Sequence, residues 1–193
     1  MQLASPRNLV FLAVTIAGLV LDQLSKAWIV ANVRYAVDEI DVIPGFFSIV
    51  HARNPGAAFG ALGGFANRHV VFVIFTLVAL YVVFDMLRKL EPTARFVPVA
   101  LGLILSGALG NAIDRVRGFG FMPEAIAADG RVTDFLRVYT EVPSVKGWLI
   151  ANFGTYEWPS FNVADIALVV GVAMLALHWF FVERHEQKAE AKS

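Results

Sequence analysis

Residues 9–30 read LVFLAVTIAGLVLDQLSKAWIV. At 1.5 Å per residue such a helix is about 33 Å long, enough to cross a hydrocarbon core of about 30 Å. The run follows Arg7 and superficially resembles a secretory signal peptide. It is too long for an h-region, it contains Asp22 and Lys26, and no A-x-A site follows it. The stretch is therefore expected to be a retained membrane helix.

Three further stretches, 70–87, 96–113 and 163–182, are apolar over comparable lengths. The expected fold is an all-α, four-helix polytopic membrane protein forming a single domain over residues 1–193. The composition agrees. Hydrophobic residues make up 58% and charged residues 17%, against about 45–50% and about 25% in soluble domains. The mean hydropathy is +0.64. Sixteen Lys and Arg balance sixteen Asp and Glu. This profile excludes a disordered tail, and it excludes nucleic acid as a partner because no basic surplus exists. The absence of cysteine removes disulfides, thiol catalysis and thiolate metal sites.

Lysine and arginine placement gives the expected orientation. The short stretches 1–8, 88–95 and 183–193 hold Arg7, Arg88, Lys89, Arg95, Arg184, Lys188 and Lys192. The much longer stretches 31–69 and 114–162 hold only eight such residues. By the positive-inside rule both termini are cytoplasmic and the two long segments lie outside.

The first outer segment carries strand signals. Residues 36–43 and 46–53 are two β-prone runs around Pro44-Gly45, a hairpin pattern, and Asn54-Pro55-Gly56 ends the second run. Residues 57–64 are small and apolar, with Phe59, Leu62 and Phe65 at near-helical spacing, as in a short interfacial helix. Gly102, Ser106 and Gly110 recur every four residues on the third span, and Ala167 and Gly171 on the fourth. Such stripes predict close helix packing in lipid.

Ionisable groups inside a bilayer are costly, so each is a functional candidate. Asp85 sits beside Arg88 and Lys89 at the inner end of its span. The orientation places Asp22, Asp114 and Asp165 at one level, near the outer face. Each also has a structural reading. Asp22 and Lys26 are spaced as an i,i+4 ion pair, and Asp114 with Arg115 suits a helix-end pair or a substrate contact. Asn162 with Asp165 three residues on resembles a capping box opening the last span. Asp134 lies in an outer segment whose Val132, Phe135, Leu136 and Val138 draw it toward the membrane surface, and a solvated loop acid is its default reading.

Metal hydrolysis is disfavoured because His51, His69, His178 and His185 are scattered without an H-E-x-x-H motif. No G-x-S-x-G motif offers a serine nucleophile. Two carboxylates held together suffice for hydrolysis without a cofactor, since one retains a proton while the other serves as base. A transporter or proton pathway is the rival class. It calls for acids at several depths, including the midplane of the membrane, which spans two to four lack. A purely structural subunit leaves the one-sided clustering of polar residues unexplained.

Five segments carry a family resemblance: Asp22-Gln23-Leu24-Ser25-Lys26, Asn54-Pro55-Gly56-Ala57-Ala58-Phe59-Gly60, Gly107 to Arg115 (GALGNAIDR), Val132-Thr133-Asp134-Phe135, and Phe161-Asn162-Val163-Ala164-Asp165. In this order on a four-span frame, the chain resembles signal peptidase II, the bacterial prolipoprotein signal peptidase family. The resemblance implies an aspartic endopeptidase of the bacterial inner membrane with its active site near the periplasmic face. It implies cleavage of lipid-modified prolipoprotein signal peptides just before the diacylglyceryl cysteine. Membrane lipid as surroundings, inhibition by globomycin, and no metal or cofactor are also implied. By the same resemblance Asp134 and Asp165 are the catalytic pair. Asp22, Lys26, Asn54, Gly56, Asn111, Asp114, Arg115, Asn162 and Ala164 occupy positions that bind substrate or support the site. The family's small extracytoplasmic sheet, or cradle, and its interfacial helix correspond to residues 36–65.

Asp134 lies twenty positions after Asp114, and Asp165 thirty-one positions after Asp134, spacings longer than usual for the family. Asp129 is thus a competing occupant of the motif position, although Phe135 favours Asp134. The longer segments are 119–130 and 140–158, the second bearing Trp148, Phe153, Tyr156 and Trp158. That aromatic stretch reads as an interfacial belt or as a lid over the site.

Overall fold

The computed structural model describes residues 5–55, 68–116 and 130–190. Helix α1 spans Pro6–Asn32, and its start is set by chemistry at the first turn: Pro6 occupies the opening position and Ser5 Oγ accepts the Asn8 N–H at 3.4 Å. Strands β1 (Glu39–Ile43) and β2 (Phe47–Asn54) follow, then helices α2 (Arg68–Lys89) and α3 (Phe96–Val116). Strand β3 (Val132–Val138), a short helix α4 (Pro143–Phe153) and the long helix α5 (Val163–Glu190) complete the order. Among the described residues, three helical stretches are long and apolar enough to cross a membrane: Pro6–Asn32, Phe96–Val116 and Val163–Phe181.

Helix α3 lies at the centre and packs against α1, α2 and α5. Lipid tails are as apolar as leucine, so association depends on close backbone approach rather than on hydrophobic burial. The small-residue stripes supply that approach. A Cβ on Gly107 would stand 2.3 Å from the Ala164 carbonyl oxygen of α5, and one on Gly102 2.9 Å from the Phe11 carbonyl of α1. Ser106 packs on Gly18 of α1, and Gly171 of α5 packs on the Ala100 carbonyl. At one end of the bundle Phe11, Val83, Leu87, Val97, Leu101 and Leu105 form a buried cluster. Outward-facing residues such as Leu9, Ile16, Val169 and Phe180 stay exposed, as a lipid-facing surface requires.

The other end is capped by an antiparallel sheet in the order β1-β2-β3. Pro44 and Gly45 make the turn between the first two strands: Phe46 N–H returns to the Ile43 carbonyl at 3.0 Å, and Gly45 takes φ +76°. Proline before a positive-φ glycine is the type II pattern. Phe135 packs with Ile29 of α1 and with Val33 at its C-cap, which seats the sheet on the bundle. Strand β3 was not legible as a strand in the sequence. Its free edge is held by Phe161, whose carbonyl accepts the N–H groups of Phe135 (3.0 Å) and Leu136 (2.9 Å). The chain then enters α5 directly.

The aromatic segment 140–158 contains helix α4, opened by Pro143 and closed by Gly154 at φ +74°. None of its residues is buried. The expected interfacial helix at 57–64, and Gly56 before it, lie outside the described residues, as does Asp129.

Candidate active site

The capping pattern at the head of α5 is realised in both directions. Asn162 Oδ1 accepts the Asp165 N–H at 3.1 Å, and Asp165 Oδ2 accepts the Asn162 N–H at 3.1 Å. The first turn of a helix leaves N–H groups without intrahelical partners. The Ala164 N–H finds its partner on another helix: Asp22 Oδ1 of α1, at 3.0 Å. Close approach is again a condition of this contact. Gly110 of α3 lies against Asp22, where a Cβ would fall 2.5 Å from Oδ2.

Asp22 and Lys26 form the expected i,i+4 pair at 3.0 Å. Lys26 Nζ also reaches Asp114 Oδ2 at 2.9 Å and Asn111 Oδ1 at 3.1 Å. Asp22, Lys26 and Asp114 are all buried. Buried charges need both charge partners and hydrogen-bond partners. The amide of Gln23 donates to Asp22 Oδ2 at 2.9 Å, and the Thr133 N–H of β3 donates to Asp114 Oδ2 at 3.3 Å. One ammonium thus ties α1 to α3, while its two carboxylates reach α5 and β3.

From Lys26 the network runs to the remaining acids through three asparagines. Asn111 Nδ2 donates to Asp165 Oδ1 at 2.7 Å. Asn162 Nδ2 donates to Asn111 Oδ1 at 3.1 Å and to Asp134 Oδ1 at 2.6 Å. Asn54 Nδ2, at the end of β2, donates to Asp134 Oδ2 at 2.9 Å. Arg115 Nη1 donates to the Asn111 carbonyl at 3.1 Å, and its guanidinium lies in the field of Asp114, Asp134 and Asp165. The structure therefore brings Asp22, Lys26, Asn54, Asn111, Asp114, Arg115, Asn162, Ala164, Asp134 and Asp165 into one connected site.

The two candidate catalytic acids differ in setting. Asp134 is 2% exposed, whereas Asp165 is half-buried. Burial pushes the Asp134 carboxyl up to about 7. The Asn54 bond opposes that rise, the neighbouring Asp165 charge adds to it, and Asn162 and Lys26 oppose it. Two carboxylates joined through shared amides, one raised toward neutrality, are equipped to share one proton and act on a water molecule.

Sequence reasoning missed Gln23 and Thr133 as members of the network. Gln23 lay inside a quoted motif, which was its one available signal. Thr133 acts through its backbone, which side-chain identity does not reveal.

A sequence model described as "Signal peptidase (SPase) II" matches residues 14–181. The lipoprotein signal peptidase of Geobacter metallireducens is 41% identical over 183 residues, covering 95% of this chain and 98% of that relative. The lipoprotein signal peptidase of Symbiobacterium thermophilum is 39% identical over 173 residues, 90% of this chain and 95% of the other. Among solved structures, a bacterial membrane enzyme determined by the in meso method at 1.9 Å resolution superposes with a TM-score of 0.64 at 30% identity. That match covers 87% of this chain and 90% of the other. With a family match over residues 14–181 and relatives at this identity over nearly their whole length, the chain belongs to the signal peptidase II family.

Proposed function

We propose that this membrane enzyme removes signal peptides from prolipoproteins by water attack at an aspartate dyad formed by Asp134 and Asp165. The observation that carries the reading is Asn162, whose side-chain amide donates to Asp134 Oδ1 while its backbone N–H donates to Asp165 Oδ2. Burial, which raises the Asp134 carboxyl to about 7, supports Asp134 as the holder of the shared proton. Asp165, with each oxygen already held by one N–H donor, is the base that takes a proton from the attacking water. Asp134 protonates the scissile carbonyl oxygen as the tetrahedral species forms. Collapse then breaks the C–N bond: Asp165 passes the proton it took from water to the departing amine of the lipid-modified cysteine, and a hydroxyl proton of the tetrahedral species returns to Asp134 as the new carboxyl group forms. Asn54, Asn111 and Asn162 position the carboxyl groups. The buried Asp22–Lys26–Asp114 triad keeps α1, α3 and β3 in register beneath them.

The setting of the reaction is part of the same proposal. Helix α2 serves as the fourth span, and the whole chain is a single membrane domain with both termini cytoplasmic. The sheet and dyad lie at the periplasmic face, and Gly56 and Arg115 contribute to substrate binding. The acyl chains of the substrate remain in the lipid while its extended segment lies beside the sheet. Globomycin is expected to inhibit. The exposure of α4 supports the interfacial belt rather than a lid. The test is cleavage of a diacylglyceryl prolipoprotein by the purified protein and by Asp134→Asn and Asp165→Asn separately. Each variant should lose about 10²- to 10⁴-fold in turnover. Near-normal turnover in either folded variant overturns the dyad, and loss in Asp129→Asn with Asp134→Asn active moves the motif.

A further inference from the structure

At the end of the bundle away from the dyad, a cavity of about 470 Å³ opens between α1 and α2. Its walls are Phe11, Leu80, Phe84 and Leu87, and its rim carries Arg7 and Arg88. Both guanidiniums are fixed by backbone carbonyls. Arg7 Nη1 donates to the carbonyls of Arg88 and Leu90 at the end of α2, and Arg7 Nε to Asn8 Oδ1. Arg88 Nε donates to the Phe84 carbonyl at 3.2 Å.

Neither arginine pairs with a carboxylate among the described residues. Nearby Asp85 is occupied with Lys89 at 2.6 Å, and the first turn of α1 holds no acid. Among the described residues, Arg7 Nη2 and both Nη atoms of Arg88 remain available as donors. The positive end of the α1 dipole meets the negative end of α2 there, so the positive potential comes from the two guanidiniums.

We infer that this slot binds one anionic glycerophospholipid, with its phosphate on Arg7 and Arg88 and an acyl chain between α1 and α2. Three observations select this occupant. Paired planar guanidiniums match phosphate oxygens in fork geometry. The walls below are almost wholly apolar, and they face the lipid environment of a membrane protein. A basic pocket between membrane helices is the physical form that anionic lipid headgroups occupy. A signal peptide fits poorly, since its n-region is itself positively charged. A second copy of the chain fits poorly too, because this end also carries Lys89 and Arg95.

The inference is independent of the dyad. It is tested with the full-length protein in neutral detergent by native mass spectrometry, with dioleoyl phosphatidylglycerol and dioleoyl phosphatidylcholine as competing probes. Phosphatidylglycerol should be retained preferentially as a one-to-one adduct. Each arginine near a headgroup contributes about fivefold, so Arg88→Gln should weaken retention by about that factor and Arg7→Gln/Arg88→Gln on the order of twentyfold.

Leu80→Trp, which fills the slot without touching the rim, should also release the lipid. Arg88→Gln should leave peptidase turnover in neutral detergent unchanged. Equal retention of the two lipids overturns the proposal, as does wild-type retention in both Arg88→Gln and Leu80→Trp. Displacement by glycerol phosphate at equal concentration would reveal a phosphate site without a chain and overturn it. Stoichiometric displacement by a basic signal peptide would assign the slot to substrate, with the same consequence.

Discussion

Asn162 Nδ2 donates to Asp134 Oδ1 over 2.6 Å, while Oδ1 of the same amide accepts the Asp165 N–H at 3.1 Å. A helix cap and the link between the two acids of the proposed dyad are therefore one residue. The cap fixes where α5 begins, and the buried amide nitrogen fixes where Asp134 stands relative to it. Structural and functional readings of this asparagine are two descriptions of one geometry.

Asn162→Ala should consequently damage stability and rate together. Removing the cap and leaving Asp134 Oδ1 without its donor should cost about 1–3 kcal/mol. Displacing one acid relative to the other should lower kcat by about a hundredfold. Thermal unfolding and cleavage kinetics on the same sample check both parts. A stability loss with unchanged kcat would confine Asn162 to capping.

Lys26→Met should be among the most destabilising single changes in the chain. It leaves Asp22 and Asp114 buried without their counter-ion, a loss of roughly 3–5 kcal/mol. The combination with Asp22→Asn and Asp114→Asn should recover most of that loss, because no net charge then remains buried. Unfolding midpoints of the single and triple variants decide the matter.

Two glycine substitutions should have opposite signs. Gly110→Ala places a Cβ 2.5 Å from Asp22 Oδ2 and 3.1 Å from the Ala164 Cβ, so α3 must move and stability should fall by about 1–3 kcal/mol. Gly147 lies within α4 with nothing inside 4 Å of its Cβ position. Gly147→Ala should therefore stabilise the helix by about 0.5–1 kcal/mol. Paired thermal melts test the contrast.

The parts of this structure legible in the sequence are those written locally. Long apolar runs announced α1, α3 and α5, Pro44-Gly45 announced the hairpin, and Asn162 with Asp165 announced the cap. Lys26 was legible as a partner of Asp22 four residues away. Its second partner, Asp114, was not, because that contact depends on how α1 crosses α3. Strand β3 shows the same limit more sharply. Its pairing partners on β2 are about eighty residues distant in sequence, as in Asp134 opposite Ala52. No short hairpin turn joins it to β2, so nothing local betrays the pairing. Asp134 accordingly looked like a loop acid until a motif promoted it, and its burial was knowable only from the assembled sheet. Helix α4 did carry signals, Pro143 at its start and Gly154 at its end, but the aromatic content of the segment obscured them.

The pH dependence of cleavage follows from the Asp134 carboxyl, held at about 7 against 3.8 for the unperturbed group. If Asp134 supplies the proton, kcat/KM should fall above pH ~7, tenfold per unit at the limit, as the acid ionises. The Asn54 bond favours the ionised form. Asn54→Ala should therefore shift the alkaline limb upward, by up to about one unit. The sign for stability is also fixed. The folded state binds this proton more tightly than the unfolded chain, so the Asp134 contribution is fully present below pH ~4. It is lost as pH rises toward 7 and does not change further above that. A pH–rate profile of the wild type and Asn54→Ala tests the assignment: an alkaline limb that moves downward, or stays in place, would mean that another group donates the proton.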